Sequence, residues 1–165
     1  MSGAQILDAC CGGRMWWWDK QHPLALYMDK RAEKKGANPE RPNWHITPDV
    51  IADFRAMPFG DATFQMVVFD PPHIIREKPS GIYPLYYRTL HPDTEQDDLR
   101  RGFAECWRVL APGGTLVFKW AGPLARVEPH FPSRPIVGQR ILRKGSGLGS
   151  RWIIFYKPLE EAAAA

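Results

Sequence analysis

The sequence predicts an α/β protein with a mostly parallel sheet that ends in an antiparallel C-terminal edge hairpin. Short runs of β-branched and aromatic residues recur along the chain, and several of them stop at an acid. A helical pattern separates two of these runs in the second half of the sequence. The last two β-rich runs, 136–144 and 151–157, are joined by a stretch rich in glycine and serine, which is typical of a hairpin.

The length and charge fit a single domain. The chain has 165 residues, with 22 Lys+Arg against 18 Asp+Glu, so we expect one domain over 1–160 and a disordered tail at 161–165. The segment 121–165 alone carries the net charge of +4. A basic last quarter is compatible with a polyanionic partner.

The cysteines and the hydropathy pattern narrow the class of protein further. Cys10, Cys11 and Cys106 form no C-x-x-C pair, which argues against a zinc site and a disulfide framework, and no metal is expected. No run approaches the roughly 20 apolar residues of a membrane span, and no signal peptide is evident. These features predict a cytoplasmic protein without a membrane partner.

The first apolar run ends in an acid and a glycine turn. Ile6, Leu7 and Asp8 lead into Ala9-Cys10-Cys11-Gly12-Gly13, a pattern typical of a strand that feeds a tight turn close to a ligand. A glycine-rich hairpin is the alternative. The turn lacks the G-x-G-x-x-G spacing of dinucleotide-binding proteins.

Three adjacent tryptophans, Trp16-Trp17-Trp18, follow this turn. They cannot all face one side of a helix or a strand. Two interpretations have equal weight at this stage. Some indole surface meets a ligand, a partner or a covering loop, or the rings close a sheet edge that lacks its usual helix.

Two further apolar runs end in acids at corresponding places. The run 23–28 is followed by Asp29, and in nucleotide-binding α/β folds an acid here accepts hydrogen bonds from ribose hydroxyls. A third short element closes on Asp53-Phe54. Such a pair can bind an adenine amino group through the carboxylate and pack the ring on the base.

The fourth run, 65–69, is stopped by Asp70-Pro71-Pro72-His73. Each proline fixes φ and removes an N–H donor. The resulting turn is stiff, and its carbonyls can face a ligand at the carboxyl edge of the sheet. An acid beside such carbonyls is suited to binding an amino group.

The segment 74–98 is predicted to be a substrate-facing loop, because it is long and shows no clear periodicity. Its aromatic and basic side chains suit a nucleobase and phosphate: Tyr83, Tyr86, Tyr87 and Arg88. A helix is then expected from Asp97-Asp98 to Pro112-Gly113-Gly114. The next strand, 115–120, delivers Lys119 and Trp120 to its carboxyl end as further candidates for substrate binding.

The order of these motifs, over residues 5–157, resembles that of the class I S-adenosylmethionine-dependent methyltransferases. The resemblance implies a Rossmann-like sheet, here without the usual N-terminal helix, and S-adenosylmethionine as cofactor. Asp70-Pro71-Pro72-His73 is similar to the (Asp/Asn)-Pro-Pro-aromatic motif of amino-methyltransferases, which act on exocyclic amines of nucleobases. His73 stands where Tyr or Phe is commoner.

The resemblance also implies residue roles. Asp70, Pro71, Pro72 and His73 would form the catalytic motif, with Asp70 and the Pro71 carbonyl accepting from the amine and His73 stacking on the base. The cofactor-binding residues would be Asp8, Ala9, Cys10, Cys11, Gly12, Asp29, Asp53, Phe54 and Asp70.

The expected activity is methylation of a nucleobase amine, with adenine N6 in DNA ahead of cytosine N4 and of RNA adenine N6 or guanine N2. The sequence contains no target-recognition domain, so specificity would be low or supplied by a second copy or a specificity subunit. Alternatives are a catalytically silent partner subunit, a nicotinamide-dependent oxidoreductase, and a methyltransferase for a small molecule or a protein amide. The missing dinucleotide fingerprint and the double proline weigh against the oxidoreductase.

Overall fold

The computed structural model describes residues 3–37, 39, 42–78, 89–138 and 149–159. The residues Tyr83, Tyr86, Tyr87 and Arg88, together with the end of the chain, lie outside these ranges. In chain order the elements are β1 (Ile6–Asp8), β2 (Ala25–Asp29), β3 (Val50–Ile51), β4 (Phe64–Phe69), β5 (Ile74–Ile75), β6 (Thr89–Leu90), α1 (Glu95–Val109), β7 (Leu110–Trp120), β8 (Val137–Gly138) and β9 (Arg151–Tyr156).

Seven strands form one sheet in the order β3-β2-β1-β4-β7-β9-β8. The first five are parallel, whereas β9 runs antiparallel to β7 and β8 antiparallel to β9. This arrangement confirms the predicted mostly parallel sheet with an antiparallel edge pair. Because β1 pairs in parallel with β2 on one side and β4 on the other, the carboxyl ends of these three strands lie at one edge of the sheet. The strand order reverses at β1, which is where such sheets bind ligands.

The core lies between the sheet and α1. Phe103 of α1 contacts Phe69 of β4 and Phe118 of β7, with ring centroids 5.4 and 4.7 Å apart. Alternation along the strands explains which residues face the helix, because every second side chain points to the same side. The neighbours that point to the other side of the sheet, such as Met66 and Val117, are only half-buried.

Helices are few in the part of the chain that the structure describes. There α1 is the single α-helix, with two 3₁₀ turns at Leu124–Arg126 and Glu128–His130. The described parts of the connections from β1 to β2 and from β2 to β3 are turns and bends. None of the described helices has the length and apolar character that crossing a membrane requires.

The helix begins two residues earlier than expected, at Glu95, after Thr94. It ends at Val109, and β7 starts directly at Leu110, so Pro112-Gly113-Gly114 lies inside the strand rather than before it. The pairing of β4 with β7 shifts between Phe64 and Met66, which accommodates the extra residues as a bulge.

The described ends of 74–98 contain regular structure, and the role of this segment as a substrate-facing loop stays a prediction. Ile74 and Ile75 pair in parallel with Thr89 and Leu90 as a separate two-stranded sheet. Residues 91–94 connect this pair to α1, which begins at Glu95. The short strands were missed because two paired residues leave no periodic signal in a sequence.

Candidate active site

A cleft of about 620 Å³ lies at the carboxyl edge of the sheet. The strand register places the ends of β1, β2 and β4 side by side, because Asp8 of β1 lies opposite Tyr27 of β2 and Val68 of β4. The cleft is lined by the end of β1 and its glycine turn, the end of β2, the loop after β3, the end of β4, and the start of α1 with the residue before it. Its lining includes Asp8, Ala9, Cys10, Cys11, Gly12, Asp29, Phe54, Asp70, Pro71, Pro72, His73, Thr94 and Asp98.

Asp8 is buried at the end of β1 and accepts two hydrogen bonds. The Trp17 indole Nε1 donates to Oδ2 at 2.7 Å, and the Cys10 backbone N–H donates to Oδ1 at 3.2 Å. Burial raises the pKa of Asp8 to about 7, against these two bonds, and the charges of Asp70 and Asp29 raise it further. Asp8 therefore changes its charge near neutral pH.

The glycine turn is connected to Asp29. The Gly12 N–H donates to Asp29 Oδ2 at 3.0 Å, and Arg31 donates to Oδ1 through its backbone N–H at 2.9 Å. Gly12 has φ of +47°, a conformation that favours glycine. A Cβ at Gly13 would lie 2.8 Å from the Trp44 ring, so the second glycine allows that ring to pack on the turn.

The surroundings of the two cysteines of this turn disfavour the thiolate. Burial raises the pKa of the Cys10 and Cys11 thiols well above the ordinary value. Because the thiolate is the reactive form, this environment makes both side chains poor nucleophiles at neutral pH. This agrees with a site that works without a covalent intermediate.

The side chains of Asp53 and Phe54 have different surroundings. Arg55 binds the Asp53 carboxylate through Nε at 2.8 Å, and Lys30 lies 3.3 Å from it; these cations lower its pKa. The Asp53 side chain is absent from the cleft lining, whereas Phe54 and Arg55 line it. The predicted adenine contact of Asp53 would require this ion pair to rearrange.

Asp70 is held at the end of β4 by two donors. Lys119 Nζ lies 2.8 Å and Trp16 Nε1 lies 3.0 Å from Oδ2. Among the described residues, no donor binds Oδ1. Two donors thus hold one oxygen of the carboxylate, and Asp70 lines the cleft.

His73 is half-buried beside Asp70. Its ring meets the Trp120 ring edge-on, with centroids 6.4 Å apart. Burial lowers the pKa of His73, against the charge of Asp70. His73 is therefore neutral at pH 7 and presents an uncharged aromatic surface to the cleft.

Lys119 and Trp120, which were predicted to bind substrate, are both buried. Lys119 has 3% exposure and its ammonium binds Asp70. Trp120 is fully buried and donates to the Pro123 carbonyl at 3.2 Å. Each contacts a residue of the cleft lining, Lys119 through Asp70 and Trp120 through His73, and direct substrate binding by either side chain stays a prediction.

Some cleft residues were not singled out in the sequence. Thr94 and Asp98 line the cleft from within 74–98, and Arg55 joins them, since its Nη1 lies 2.7 Å from Asp98 Oδ1. No pattern in the sequence marks these side chains. Their position depends on the way α1 packs beside the loop after β3.

The basic C-terminal segment is partly used inside the protein. Arg126 pairs with Glu95, Arg151 donates to the Gly122 carbonyl, and Lys157 donates to the Trp107 and Leu110 carbonyls. These three cations brace the fold. Arg140, Arg143 and Lys144 lie outside the described residues.

Comparisons with known proteins identify the fold. No protein-family profile matches the chain, and no curated sequence matches it significantly. The N-methyltransferase NodS of Bradyrhizobium japonicum WM9 has 16% identity and a TM-score of 0.56, with 94% of this chain and 86% of NodS covered. A structure of SAM-dependent methyltransferases from Methanosarcina mazei has 14% identity and a TM-score of 0.53, with coverage of 97% and 95%.

A third solved structure is a SAM-dependent methyltransferase from Leishmania major, with 14% identity and a TM-score of 0.53 over 92% of this chain and 64% of that one. At these identities the likeness establishes the fold. The chain has the Rossmann-like α/β fold of these S-adenosylmethionine-dependent methyltransferases.

Proposed function

We propose that this protein is an S-adenosylmethionine-dependent N-methyltransferase that acts on the exocyclic amine of a nucleobase, with adenine N6 in DNA as the favoured target. One observation carries the proposal. Asp70, Pro71, Pro72 and His73 line the same cleft as the glycine turn and Asp29. A group that accepts hydrogen bonds from an amine thus adjoins a site suited to the cofactor.

The residues of the cleft fit the cofactor. Asp8 and Asp29 line the cleft from the ends of β1 and β2, where Asp8 would hold the cationic methionine half of S-adenosylmethionine and Asp29 its ribose hydroxyls. A Cβ at Gly12 would meet no atom within 4 Å, which leaves the backbone of the turn open to a ligand. When bound, the cofactor supplies an electrophilic methyl group.

The protein activates the amine by position and charge. An exocyclic amine conjugated with its ring is a weak nucleophile. Asp70 Oδ1 and the Pro71 carbonyl can accept hydrogen bonds from the two N–H groups of the amine. These bonds favour an sp³ nitrogen and turn its lone pair toward the methyl group. The new nitrogen–carbon bond forms as the carbon–sulfur bond breaks, its electron pair stays on sulfur, and one amine proton is released.

The base must leave the duplex stack, or come from a single strand, to reach this cleft. His73 offers its uncharged ring for stacking on the base. A nucleobase is favoured over a protein amide because the motif begins with Asp and the sequence resembles the nucleobase amino-methyltransferases. Binding of the polyanion falls to the exposed cations of the surface.

The test combines labelled cofactor with separate pools of duplex DNA, single-stranded DNA and RNA, and identifies the methylated nucleoside by mass spectrometry. We expect N6-methyl-2′-deoxyadenosine from DNA and a drop of about 100-fold or more in Asp70→Ala, as for loss of a transition-state contact. Asp97→Ala is the matched control, because Asp97 lies on the exposed side of α1 and pairs with Arg100.

Undiminished transfer by Asp70→Ala would refute the catalytic role of Asp70. Product in the RNA pool alone would replace DNA with RNA as the substrate. If no pool is methylated and titration calorimetry detects no cofactor binding, the silent-subunit alternative replaces the enzyme.

A further inference from the structure

The three adjacent tryptophans have three different environments. Trp16 and Trp17 line the cleft, whereas Trp18 is fully exposed. They follow the glycine turn, and Arg14 at its end adopts φ of 54°. The turn places the adjacent Trp16 and Trp17 on the same cleft, whereas adjacent residues of a strand would face opposite sides.

Trp16 belongs to a cluster around Asp70. Its indole N–H donates to Asp70 Oδ2 at 3.0 Å, and the Lys119 ammonium lies 4.1 Å from its ring centroid. The edge of the ring meets Trp152, at a centroid distance of 5.8 Å. Trp152 pairs with Lys119 across β9 and β7, so the indole is fixed from two directions.

Trp17 makes the equivalent hydrogen bond to Asp8, another acid of the cleft. Its indole N–H donates to Asp8 Oδ2 at 2.7 Å, and its ring packs edge-on against Tyr27, at a centroid distance of 5.0 Å. The bond favours the charged form of Asp8, against burial. Charged Asp8 is the form that attracts a cationic cofactor.

We propose that Trp16 and Trp17 are positioning residues for methyl transfer, in which Trp16 orients the Asp70 carboxylate toward the target amine and Trp17 keeps Asp8 oriented and charged for the cofactor. The inference rests on the function proposed above. It assigns separate tasks to two adjacent residues of the same type.

Each indole N–H restrains the orientation of one carboxylate of the cleft. A carboxylate at a strand end can rotate about two side-chain torsions, and a rigid N–H donor on one oxygen leaves the other facing the cleft. A hydrogen bond to a charged group is worth about 1.5–3 kcal/mol, which is about 10-fold or more in a rate or an affinity. Both donors sit on the turn that binds the cofactor, so cofactor site and amine site share one support.

The experiment compares three phenylalanine variants, which keep an aromatic ring but lack the N–H donor. In Trp16→Phe we expect the single-turnover rate at saturating cofactor to fall about 10-fold or more, with the cofactor Kd changed less than about 2-fold. In Trp17→Phe we expect Kd to rise about 10-fold, with the rate at saturating cofactor changed less than about 3-fold. Trp18→Phe, the matched control from the same run, changes neither quantity.

The split between rate and affinity separates positioning from mere support of the fold. If the run only stabilises the turn, Trp16→Phe and Trp17→Phe lower rate and affinity together, and the inference is overturned. Wild-type values in both variants overturn it as well. Circular dichroism and urea unfolding verify that each variant is folded.

A failure of the proposed function gives a different result from a failure of this inference. Cofactor affinity is measured with S-adenosylmethionine alone, so the Trp17 part is decided even if no nucleic acid is methylated. In that case NMR tests the contact of Trp16 with Asp70. The Trp16 indole N–H resonance should move upfield in Asp70→Ala while that of Trp18 stays; an unmoved Trp16 resonance overturns it.

Discussion

Asp8 shows how a single residue connects the burial of the site with its chemistry. It lies at the end of β1 with 5% exposure, and burial raises its pKa from 3.8 to about 7. The folded protein then binds a proton there more tightly than the unfolded chain does. Between these two pH values, the contribution of Asp8 to the stability falls as the pH rises, and above pH 7 this contribution levels off.

The Asp8→Asn variant should remove this pH dependence, because asparagine does not ionise. Relative to the variant, we expect the wild type to lose on the order of 2–4 kcal/mol of unfolding free energy between pH 4 and pH 7. Urea unfolding of both proteins at pH 4.5, 6 and 8 measures the difference. A gap that stays constant over this range would show that the Asp8 pKa is not raised.

At the level of elements, the contact between α1 and the sheet depends on a glycine. A Cβ added at Gly102 would lie 2.7 Å from Phe69 and 2.8 Å from Phe54. Both rings are buried, and Phe54 also lines the cleft. The absence of a side chain at Gly102 lets the helix approach the rings that form the cleft wall.

Gly102→Ala should therefore destabilise the protein, although alanine is the better helix former by about 1 kcal/mol. We expect a net loss of about 1–3 kcal/mol from crowding of the two rings, measured by urea unfolding.

Ala104 provides the matched control, because it is exposed on the same helix. Ala104→Gly should cost only the difference in helix propensity, about 1 kcal/mol. If Gly102→Ala instead gained stability by that amount, the close approach of α1 to Phe54 and Phe69 would be disproved.

At the scale of the whole molecule, the proposed cofactor site joins the ends of two paired strands, β1 and β2. The glycine turn after β1 binds Asp29 at the end of β2, through the bond from Gly12. A ligand held by both should stabilise the folded state as a unit, since it binds only where these ends meet.

S-adenosylmethionine at 100 times its Kd should add about 2.7 kcal/mol to the unfolding free energy. For a chain of this size that is a rise in Tm of about 5–10 °C. Asp29→Ala should reduce this ligand-induced shift, whereas Asp97→Ala should retain it. Thermal unfolding with and without the cofactor measures the shift, and a full shift in Asp29→Ala would place the ribose site elsewhere.

Much of the architecture could be predicted because its signals are local. Alternating or continuous apolar runs marked β1, β2, β4, β7 and β9, and prolines or acids marked their ends. The two-residue strands β5 and β6 were missed, and α1 began earlier than expected. A pairing of two residues is stabilised by its neighbours in space, which leave no trace in the local sequence.

The sequence by itself determined where the acids stand: Asp8, Asp29 and Asp70 each follow a run of strand-forming residues, and parallel strands bring such positions to one edge. Only the tertiary structure decided what binds them. Trp16 reaches Asp70 across 54 residues of chain, and Lys119 reaches it across 49. Such bonds depend on strand register and on the direction of a turn, which are properties of the packed molecule and not of neighbouring residues.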